Sequence, residues 1–157
     1  MAEPILFYSN TEEYFWLDNF YRAFEYLPIQ TGAKTDYRFL TNENFYQSQK
    51  AIRVEDALEI ARQPTPYLAM RAGRELQADR MRPDWETIKP IVMRQGLNAK
   101  FRQNHDLTEK LIKTGKRQLC ENSPTDLYWG MKGKNMLGTL LMEIRSQLQF
   151  DRKAGKI

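Results

Sequence analysis

Four polar side chains in the stretch LTNENFYQSQKA, residues 40–51, recur at the spacing of one helix face: Glu43, Tyr46, Gln47 and Lys50. A carboxylate on such a face can move protons, and a neutral amine can attack a carbonyl carbon. Two helical turns, about 10 Å, separate Glu43 from Lys50, so a single ligand could contact both. Taken alone, this spacing is more typical of a solvated helix face than of a pocket wall.

A second polar group occupies TDLYWG, residues 125–130, in a loop that leads into a predicted helix. Gly130 and Gly133 permit unusual backbone angles, and the free N–H groups at a helix start attract anions. Lys132 and Lys134 add positive charge to this loop. The loop is compatible with a phosphate site and equally with an exposed turn, because helix starts of this kind are common.

A third group lies on one long predicted helix, where Lys89 follows Trp85 by one turn and Lys100 stands beside Phe101. A tryptophan in this setting is more often a core anchor than a platform on which a base stacks. Lys100 is expected to pack its stem and extend its amine to solvent, unless a pocket forms around it.

The composition excludes several classes of site. One cysteine, Cys120, and one histidine, His105, leave no clustered zinc site and no internal disulfide. The chain has no P-loop, no dinucleotide-binding fingerprint and no serine-hydrolase elbow. We therefore expect no metal and no cofactor, and an enzyme built from this chain must rely on carboxylates and a lysine.

Charge and hydropathy point to an ordinary intracellular protein. No apolar run is long enough to span a membrane, and MAEPILFYSN does not resemble a signal peptide. The net charge of +4 permits an anionic substrate or a nucleic acid without requiring either. We expect a cytoplasmic location, or the nucleus of a eukaryote, with no membrane partner and no obligate protein partner.

The hydrophobic pattern predicts an α+β fold that is predominantly helical, with a few short strands, in a single domain over residues 1–157. Strands are expected at 5–9 and 117–121 and in a hairpin of 27–29 with 37–40, after an irregular aromatic segment at 14–26. Helices are expected to begin at Thr41, to cover 54–63, 67–78 and 106–113, and to follow Asp84 and Asn135 as start signals. The apolar face is expected at Val54, Leu58 and Ala61 in the helix at 54–63, and at Met93, Leu97 and Phe101 in the helix after Asp84. Asn135 is expected to cap the last helix, whose apolar stripe is Leu137, Leu140, Leu141, Ile144 and Leu148.

Seven short motifs occur in order along the chain: FYS at 7–9, LDNF at 17–20, NENFYQSQKA at 42–51, DWETIKPIVM at 84–93, AKF at 99–101, D-x-x-WG at 126–130 and KNMLGTLLMEIR at 134–145. Each motif is weak alone, but seven in order with compatible spacing are specific. From about residue 5 to residue 148 the chain resembles the NADAR superfamily, whose members include riboflavin-intermediate N-glycosidases.

The resemblance implies cleavage of a bond between ribose C1 and an exocyclic amine. Some members act on phosphoribosylamino pyrimidine intermediates of riboflavin synthesis, and others remove ADP-ribose from guanine in nucleic acid. Two departures from the family pattern are expected to lie close to the pocket: Asn44 stands where a histidine is common, and Asp18 stands in place of a serine. These departures and the mild positive charge favour ADP-ribosylated guanine as the substrate. The alternatives are a small phosphorylated riboflavin precursor and a module that binds ADP-ribose or nucleic acid without turnover.

The same resemblance assigns roles to residues. Lys50 is expected to attack the opened sugar as a nucleophile, while Glu43 or Asp126 moves protons. A simpler route is direct hydrolysis, with a carboxylate activating water and Lys50 only holding a phosphate or hydroxyl. Substrate contacts are expected from Ser9, Asn19, Phe20, Trp85, Lys100, Trp129 and Asn135.

Overall fold

Helices dominate the part of the chain that the computed structural model describes, which is residues 2–8, residue 10 and residues 13–157. The strands are β1 (Ile5–Phe7), β2 (Glu25–Pro28), β3 (Asp36–Phe39) and β4 (Leu119–Glu121). The α-helices are α1 (Asn42–Ser48), α2 (Val54–Ala61), α3 (Pro66–Arg74), α4 (Trp85–Gln103), α5 (His105–Lys113) and α6 (Met136–Lys153). The predicted fold class, α+β with mostly helices and a few short strands, is confirmed.

These elements divide into two compact units. The first, called here the hairpin unit, is Asn19–Gln103 and contains the antiparallel hairpin β2–β3 with helices α1 to α4. The second, called the terminal unit, joins Asn104–Ile157 to the described residues of Met1–Asp18 and contains β1, β4, α5 and α6. The extent of the domain as a single body over the whole chain stays a prediction.

Helix α1 begins where the sequence predicts. The Thr41 side-chain oxygen accepts a hydrogen bond from the Asn44 backbone N–H at 3.1 Å, which is the arrangement of an N-cap. The Asn19 carbonyl accepts a second free N–H of the helix start, that of Glu43, at 3.1 Å. Every residue from Thr41 to Ser48 is buried, and α1 packs against α2, α3 and α4. It is therefore the central element of the hairpin unit.

Helix α4 buries the face that its periodicity predicts, since Met93, Leu97 and Phe101 are all inside. Pro90 lies within this helix without ending it, although proline removes one backbone hydrogen bond. The predicted face of α2 is partly wrong. Val54 is exposed at the first position of that helix, and Ala57, Ile60 and Ala61 are the buried residues instead.

In the terminal unit, β1 pairs in parallel with β4, with Ile5 opposite Leu119 and Phe7 opposite Glu121. The apolar stripe of α6 is buried as predicted, at Leu137, Leu140, Leu141, Ile144 and Leu148. Across the described residues, no helix is both long and apolar enough to cross a membrane.

Asn135 precedes α6 but does not cap it with its side chain, so the predicted capping bond is wrong. Its backbone is left-handed, with φ 49° and ψ 43°, whereas a side-chain cap needs an extended backbone. The amide is bonded to β4 instead, because Oδ1 accepts from the Glu121 N–H and Nδ2 donates to the Leu119 carbonyl, both at 3.0 Å. Asn135 thus joins the start of α6 to the strand.

Replacing Asn135 by alanine is expected to lower the free energy of unfolding by roughly 2 kcal/mol, because two backbone groups of β4 lose their partners. Urea denaturation followed by circular dichroism measures this loss. The exposed Asn122 provides the matched control, and Asn122→Ala should change stability by less than about 0.5 kcal/mol. Equal losses in the two variants would show that the bridge to β4 contributes nothing.

Candidate active site

The polar face of α1 is buried rather than solvated. Glu43 keeps only 8% of its surface exposed, and Tyr46 and Gln47 are buried beside it. Charged and amide side chains are seldom buried without partners, because removing them from water costs free energy. Burial therefore overturns the expectation from spacing alone and agrees with a wall that faces the interior.

A direct hydrogen bond orients the Glu43 carboxyl. Gln47 lies one turn further along α1, and its Nε2 donates to Glu43 Oε1 at 2.7 Å. Gly73 of α3 makes room for this amide, since a Cβ on Gly73 would lie 2.2 Å from Gln47 Oε1. The close approach of α3 therefore depends on a residue without a side chain.

Lys50 lies just beyond the end of α1, and a short stretch of backbone fixes its position. Its N–H donates to the Gln47 carbonyl at 3.2 Å, which continues the helical turn. Its carbonyl accepts from the Arg82 N–H at 2.8 Å, and Ala51 forms an antiparallel bridge with Met81. The segment at 80–82 thus holds the lysine backbone immediately before α4 begins.

Two aromatic rings lie beside the Lys50 amine. Nζ lies 6.0 Å from the centroid of the Tyr46 ring and 5.9 Å from that of Trp85. The two rings are in contact with each other, with centroids 5.0 Å apart. Lys50 is half-buried in this arrangement, and the ring faces supply partial negative charge to its amine.

Burial lowers the pKa of Lys50, which is the largest influence on this group. The nearby cations Arg74 and Lys89 lower the pKa further, while Glu43 and Glu86 oppose the shift. A lysine with a lowered pKa carries a larger fraction of neutral, nucleophilic amine near neutrality. Glu43 and Lys50, which spacing placed on one face, are thus electrostatically coupled.

The other residues predicted to contact substrate in the hairpin unit are largely engaged in the fold. The Asn19 side-chain oxygen accepts from Asn42 Nδ2 at 2.8 Å, and only 4% of Trp85 is exposed. Trp85 is thus the core anchor that its type favours, and a base would have to displace Tyr46 or Lys50 to stack on it. Phe20 is half-buried. Direct substrate contacts by these residues stay predictions.

Lys100 is fully buried, with 0% of its surface exposed, so an amine extended to solvent is excluded. Its Nζ lies 5.1 Å from the centroid of the Phe101 ring and 5.6 Å from that of Tyr21. Burial raises the pKa of Glu25 on β2 well above its usual range, and the positive charge of Lys100 opposes this. A contact between Lys100 and a substrate phosphate stays a prediction.

In the terminal unit, the loop of Asp126 and Trp129 is built by its own hydrogen bonds. Asp126 Oδ1 accepts from the backbone N–H groups of Tyr128 at 2.9 Å and Trp129 at 2.8 Å. The Trp129 ring is half-buried against the Tyr128 ring, with centroids 4.7 Å apart. One oxygen of Asp126 is therefore committed to shaping the turn, and its predicted proton transfer stays a prediction, as does stacking on Trp129.

Glu121, at the end of β4, is a candidate that sequence reasoning missed. It is 6% exposed, and among the described residues its Oε2 has no hydrogen-bond partner. Burial raises the pKa of Glu121 to about 7, with further contributions from the carboxylates of Asp18 and Asp126. Such a carboxyl can exchange a proton near neutrality, as acid–base chemistry requires. An acid that follows a short apolar strand was the available signal, but its burial could not be read from the sequence.

Ser9, which the sequence predicts to contact substrate, lies outside the described residues. Within the described ranges, no cluster of three or more histidine, cysteine or acidic side chains is arranged to hold a metal ion.

The hairpin unit also has an open groove of about 510 Å³, which is distinct from the candidate site. Phe45 of α1 and Gln49, which directly follows that helix, line the groove, whereas none of the predicted site residues is among its described lining residues. The side-chain amides of Gln49 and Gln103 in this groove already donate to backbone carbonyls at 2.9 Å. Its polar groups therefore hold the fold together.

Comparison with known proteins now settles the family. The family model of the NADAR domain matches residues 6–149. The chain belongs to the NADAR domain family. It is 38% identical to the N-glycosidase YbiA of Escherichia coli over 157 residues, which cover 97% of this chain and 93% of that protein. The NMR structure of E. coli YbiA superposes with a TM-score of 0.79 at 37% identity, covering 96% of this chain and 87% of that one.

Other relatives extend the comparison. The N-glycosidase Npun_R5314 of Nostoc punctiforme is 37% identical, over 73% of this chain and 77% of that protein. The riboflavin biosynthesis protein VVA0006 of Vibrio vulnificus is 35% identical, over 95% of this chain but only 40% of that longer protein. The predicted NADAR family and the predicted enzyme class, an N-glycosyl hydrolase, are both confirmed.

One departure from the NADAR pattern has a structural explanation. Asn44, in the place of a common histidine, is fully buried and faces α2 rather than Lys50. Its Nδ2 donates to the carbonyls of Ala61 at 3.1 Å and Gln63 at 3.0 Å, which end that helix. The Asn44 amide is therefore engaged in the fold, and its influence on substrate choice stays a prediction.

Replacing Gln47 by leucine in this NADAR protein should lower kcat roughly tenfold, because Glu43 loses the donor that orients its carboxyl. KM for a ribosylamine substrate should stay within about twofold, since Gln47 acts through Glu43. Steady-state kinetics measure both constants. Gln49→Leu is the matched control, because the Gln49 amide donates to Ile29 on another side of α1. A similar fall in kcat for both variants would contradict the positioning role.

The raised pKa of Glu121 should make the stability of the protein depend on pH. Because its folded pKa of about 7 exceeds the usual 4.5, the folded protein holds this proton more tightly than the unfolded chain. The free energy of unfolding should therefore fall as pH rises from 4.5 to about 7, by an amount on the order of 2–3 kcal/mol.

Urea denaturation at pH 5 and pH 8 checks this, with each variant compared with wild type at the same pH. Glu121→Gln should be more stable relative to wild type at pH 8 than at pH 5, since glutamine carries no ionisable proton. The exposed Glu55 supplies the control variant, Glu55→Gln, whose difference from wild type should not change with pH. If the difference in stability between Glu121→Gln and wild type is also the same at pH 5 and pH 8, the prediction is wrong.

Proposed function

We propose that the protein cleaves a bond between ribose C1 and an exocyclic amine, with Lys50 as the nucleophile. The observation that carries this proposal is a lysine with a lowered pKa, which lies beside the rings of Tyr46 and Trp85 and is electrostatically coupled to the buried Glu43. A neutral amine beside a carboxyl group can form a Schiff base with a sugar aldehyde carbon.

The reaction proceeds by exchange of one amine for another. A ribose attached to an exocyclic nitrogen opens its ring, so that C1 becomes an imine carbon. The Lys50 nitrogen adds to C1, and the C1–N bond to the base breaks as the base nitrogen takes up a proton. Water then adds to the lysine–sugar Schiff base and releases the sugar, which restores the free amine. In this proposal Glu43 carries protons between these steps.

Direct hydrolysis is the rival route at the same site. There Glu43 would activate water, and a charged Lys50 would hold a phosphate or hydroxyl group. A lowered pKa supports the Schiff-base route, because anion binding gains from a fully protonated ammonium and nucleophilic attack requires the neutral amine.

ADP-ribosylated guanine in nucleic acid is the substrate that we propose first. The net charge of +4 supports this choice. So do the exposed Lys132 and Lys134 in the loop after Trp129, because basic and aromatic side chains together suit a nucleic-acid strand. Such a substrate places the protein inside the cell, which is where we propose that it acts.

A phosphorylated ribosylamino pyrimidine is the second candidate substrate. A specific observation favours it, since relatives that match 95% and 92% of this chain are named riboflavin biosynthesis proteins, in Vibrio vulnificus and Zea mays. This substrate offers the same ribose C1 attached to an exocyclic nitrogen, so the chemistry at Lys50 is unchanged.

The purified protein should be incubated in parallel with an oligonucleotide carrying ADP-ribose on guanine and with the ribosylamino-pyrimidine phosphate. We expect ADP-ribose release from the oligonucleotide, detected by mass spectrometry, and at least about 10³-fold slower turnover by Lys50→Ala. Borohydride added during turnover should trap a sugar adduct on Lys50. Lys89→Met is the matched control, because Lys89 is a nearby cation already paired with Glu86 at 2.6 Å, and this variant should still form the adduct.

The possible results distinguish the two substrates, the two reaction routes and a binding module without turnover. Cleavage of the pyrimidine alone would replace the first substrate by the second. Turnover without a trapped adduct, together with an active Lys50→Arg variant, would favour direct hydrolysis. Binding of either compound with intact recovery would contradict the proposed reaction and support a binding module.

A further inference from the structure

Arg74 stands out among the charged groups around Lys50. It is the last residue of α3, directly after Gly73, which packs against the Gln47 amide. The side chain is exposed, and its positive charge acts on Lys50. Among the described residues, no carboxylate lies within 4.0 Å of its guanidinium, and it has no hydrogen-bond partner.

The neighbouring cations differ from Arg74 because each has an acidic partner. Lys89 Nζ lies 2.6 Å from Glu86 Oε2, and Arg71 Nη2 lies 3.3 Å from Glu75 Oε1 on the same helix as Arg74. A guanidinium that has no carboxylate partner keeps its donors available for an anion such as a phosphate. The site therefore has unused capacity for an anion next to the amine.

We propose that Arg74 binds the phosphate on C5 of the ribose whose C1 reacts with Lys50. This inference rests on the proposed function and names the part of the substrate that the site recognises. Both candidate substrates carry that phosphate, as the first phosphate of a diphosphate in ADP-ribose and as a monophosphate in the pyrimidine. The planar guanidinium can donate two parallel hydrogen bonds to phosphate oxygens.

The ordinary explanation of Arg74 is that a cation stabilises the C-terminal end of a helix. Arg71 lies in the same last turn of α3 and would act in the same way. The two arginines therefore form a matched pair, because the helix-end explanation predicts similar effects for both and phosphate binding predicts an effect for Arg74 alone.

Calorimetric titration with ribose 5-phosphate and with ribose tests the proposal without any turnover. Wild type should bind ribose 5-phosphate more tightly than ribose. Arg74→Gln should lower the affinity for ribose 5-phosphate at least about tenfold. Arg71→Gln should change its affinity by less than about twofold. Equal affinities for the two sugars in wild type, or equal losses in the two variants, would overturn the proposal.

Kinetics separate this inference from the proposed function. Arg74→Gln should raise KM about tenfold with little change in kcat. The comparison belongs at the plateau of the pH profile, because removal of Arg74 also raises the pKa of Lys50. Selective loss of ribose 5-phosphate binding in a protein that turns over neither substrate would uphold the phosphate site and refute the reaction. Normal turnover by Arg74→Gln with an unchanged KM would uphold the reaction and refute the phosphate site.

Discussion

The complete burial of α1 is the constraint on which the hairpin unit depends. Eight consecutive residues, Thr41–Ser48, lie inside, and all of them except Phe45 and Tyr46 have polar or charged side chains. Each polar side chain must therefore find a partner within the protein. The Asn44 amide donates to a backbone carbonyl at the end of α2, and the Gln47 amide donates to the Glu43 carboxyl. Ser48 Oγ donates to the Phe45 carbonyl at 2.7 Å. The same packing buries the Glu43 carboxyl and leaves the Lys50 amine half-buried just beyond the helix end.

Helix boundaries and apolar faces were largely predictable because they depend on short-range patterns. Thr41 has the chemistry of an N-cap, and the leucines of α6 recur at helical spacing, so both could be predicted from neighbouring residues alone. Val54 and Asn135 show the limit of this reasoning. Helix position and backbone handedness decide where these two side chains point, and neither is determined by residue type.

The residues of the candidate site could be predicted from the sequence, but their burial and electrostatic coupling could not. Glu43 and Lys50 could be named because spacing and family resemblance converge on them. Whether their face meets water could not be predicted, since burial results from α3 and α4, which are distant in sequence. Glu121 and Arg74 were missed for the same reason. Their charges matter only through neighbours that the folded chain brings close.

The backbone pairing at Lys50 has a consequence for how this chain can diverge. Residues 80–82 hold the lysine through main-chain groups, as the Arg82 N–H bonds the Lys50 carbonyl and Ala51 pairs with Met81. Main-chain pairing is indifferent to most side chains, but an added or deleted residue shifts its register. Related sequences can therefore substitute residues between Lys50 and Trp85 while preserving the number of residues between them. A fixed spacing from Lys50 to Trp85, more than any conserved residue between them, is the trace that selection on this site would leave in related genes.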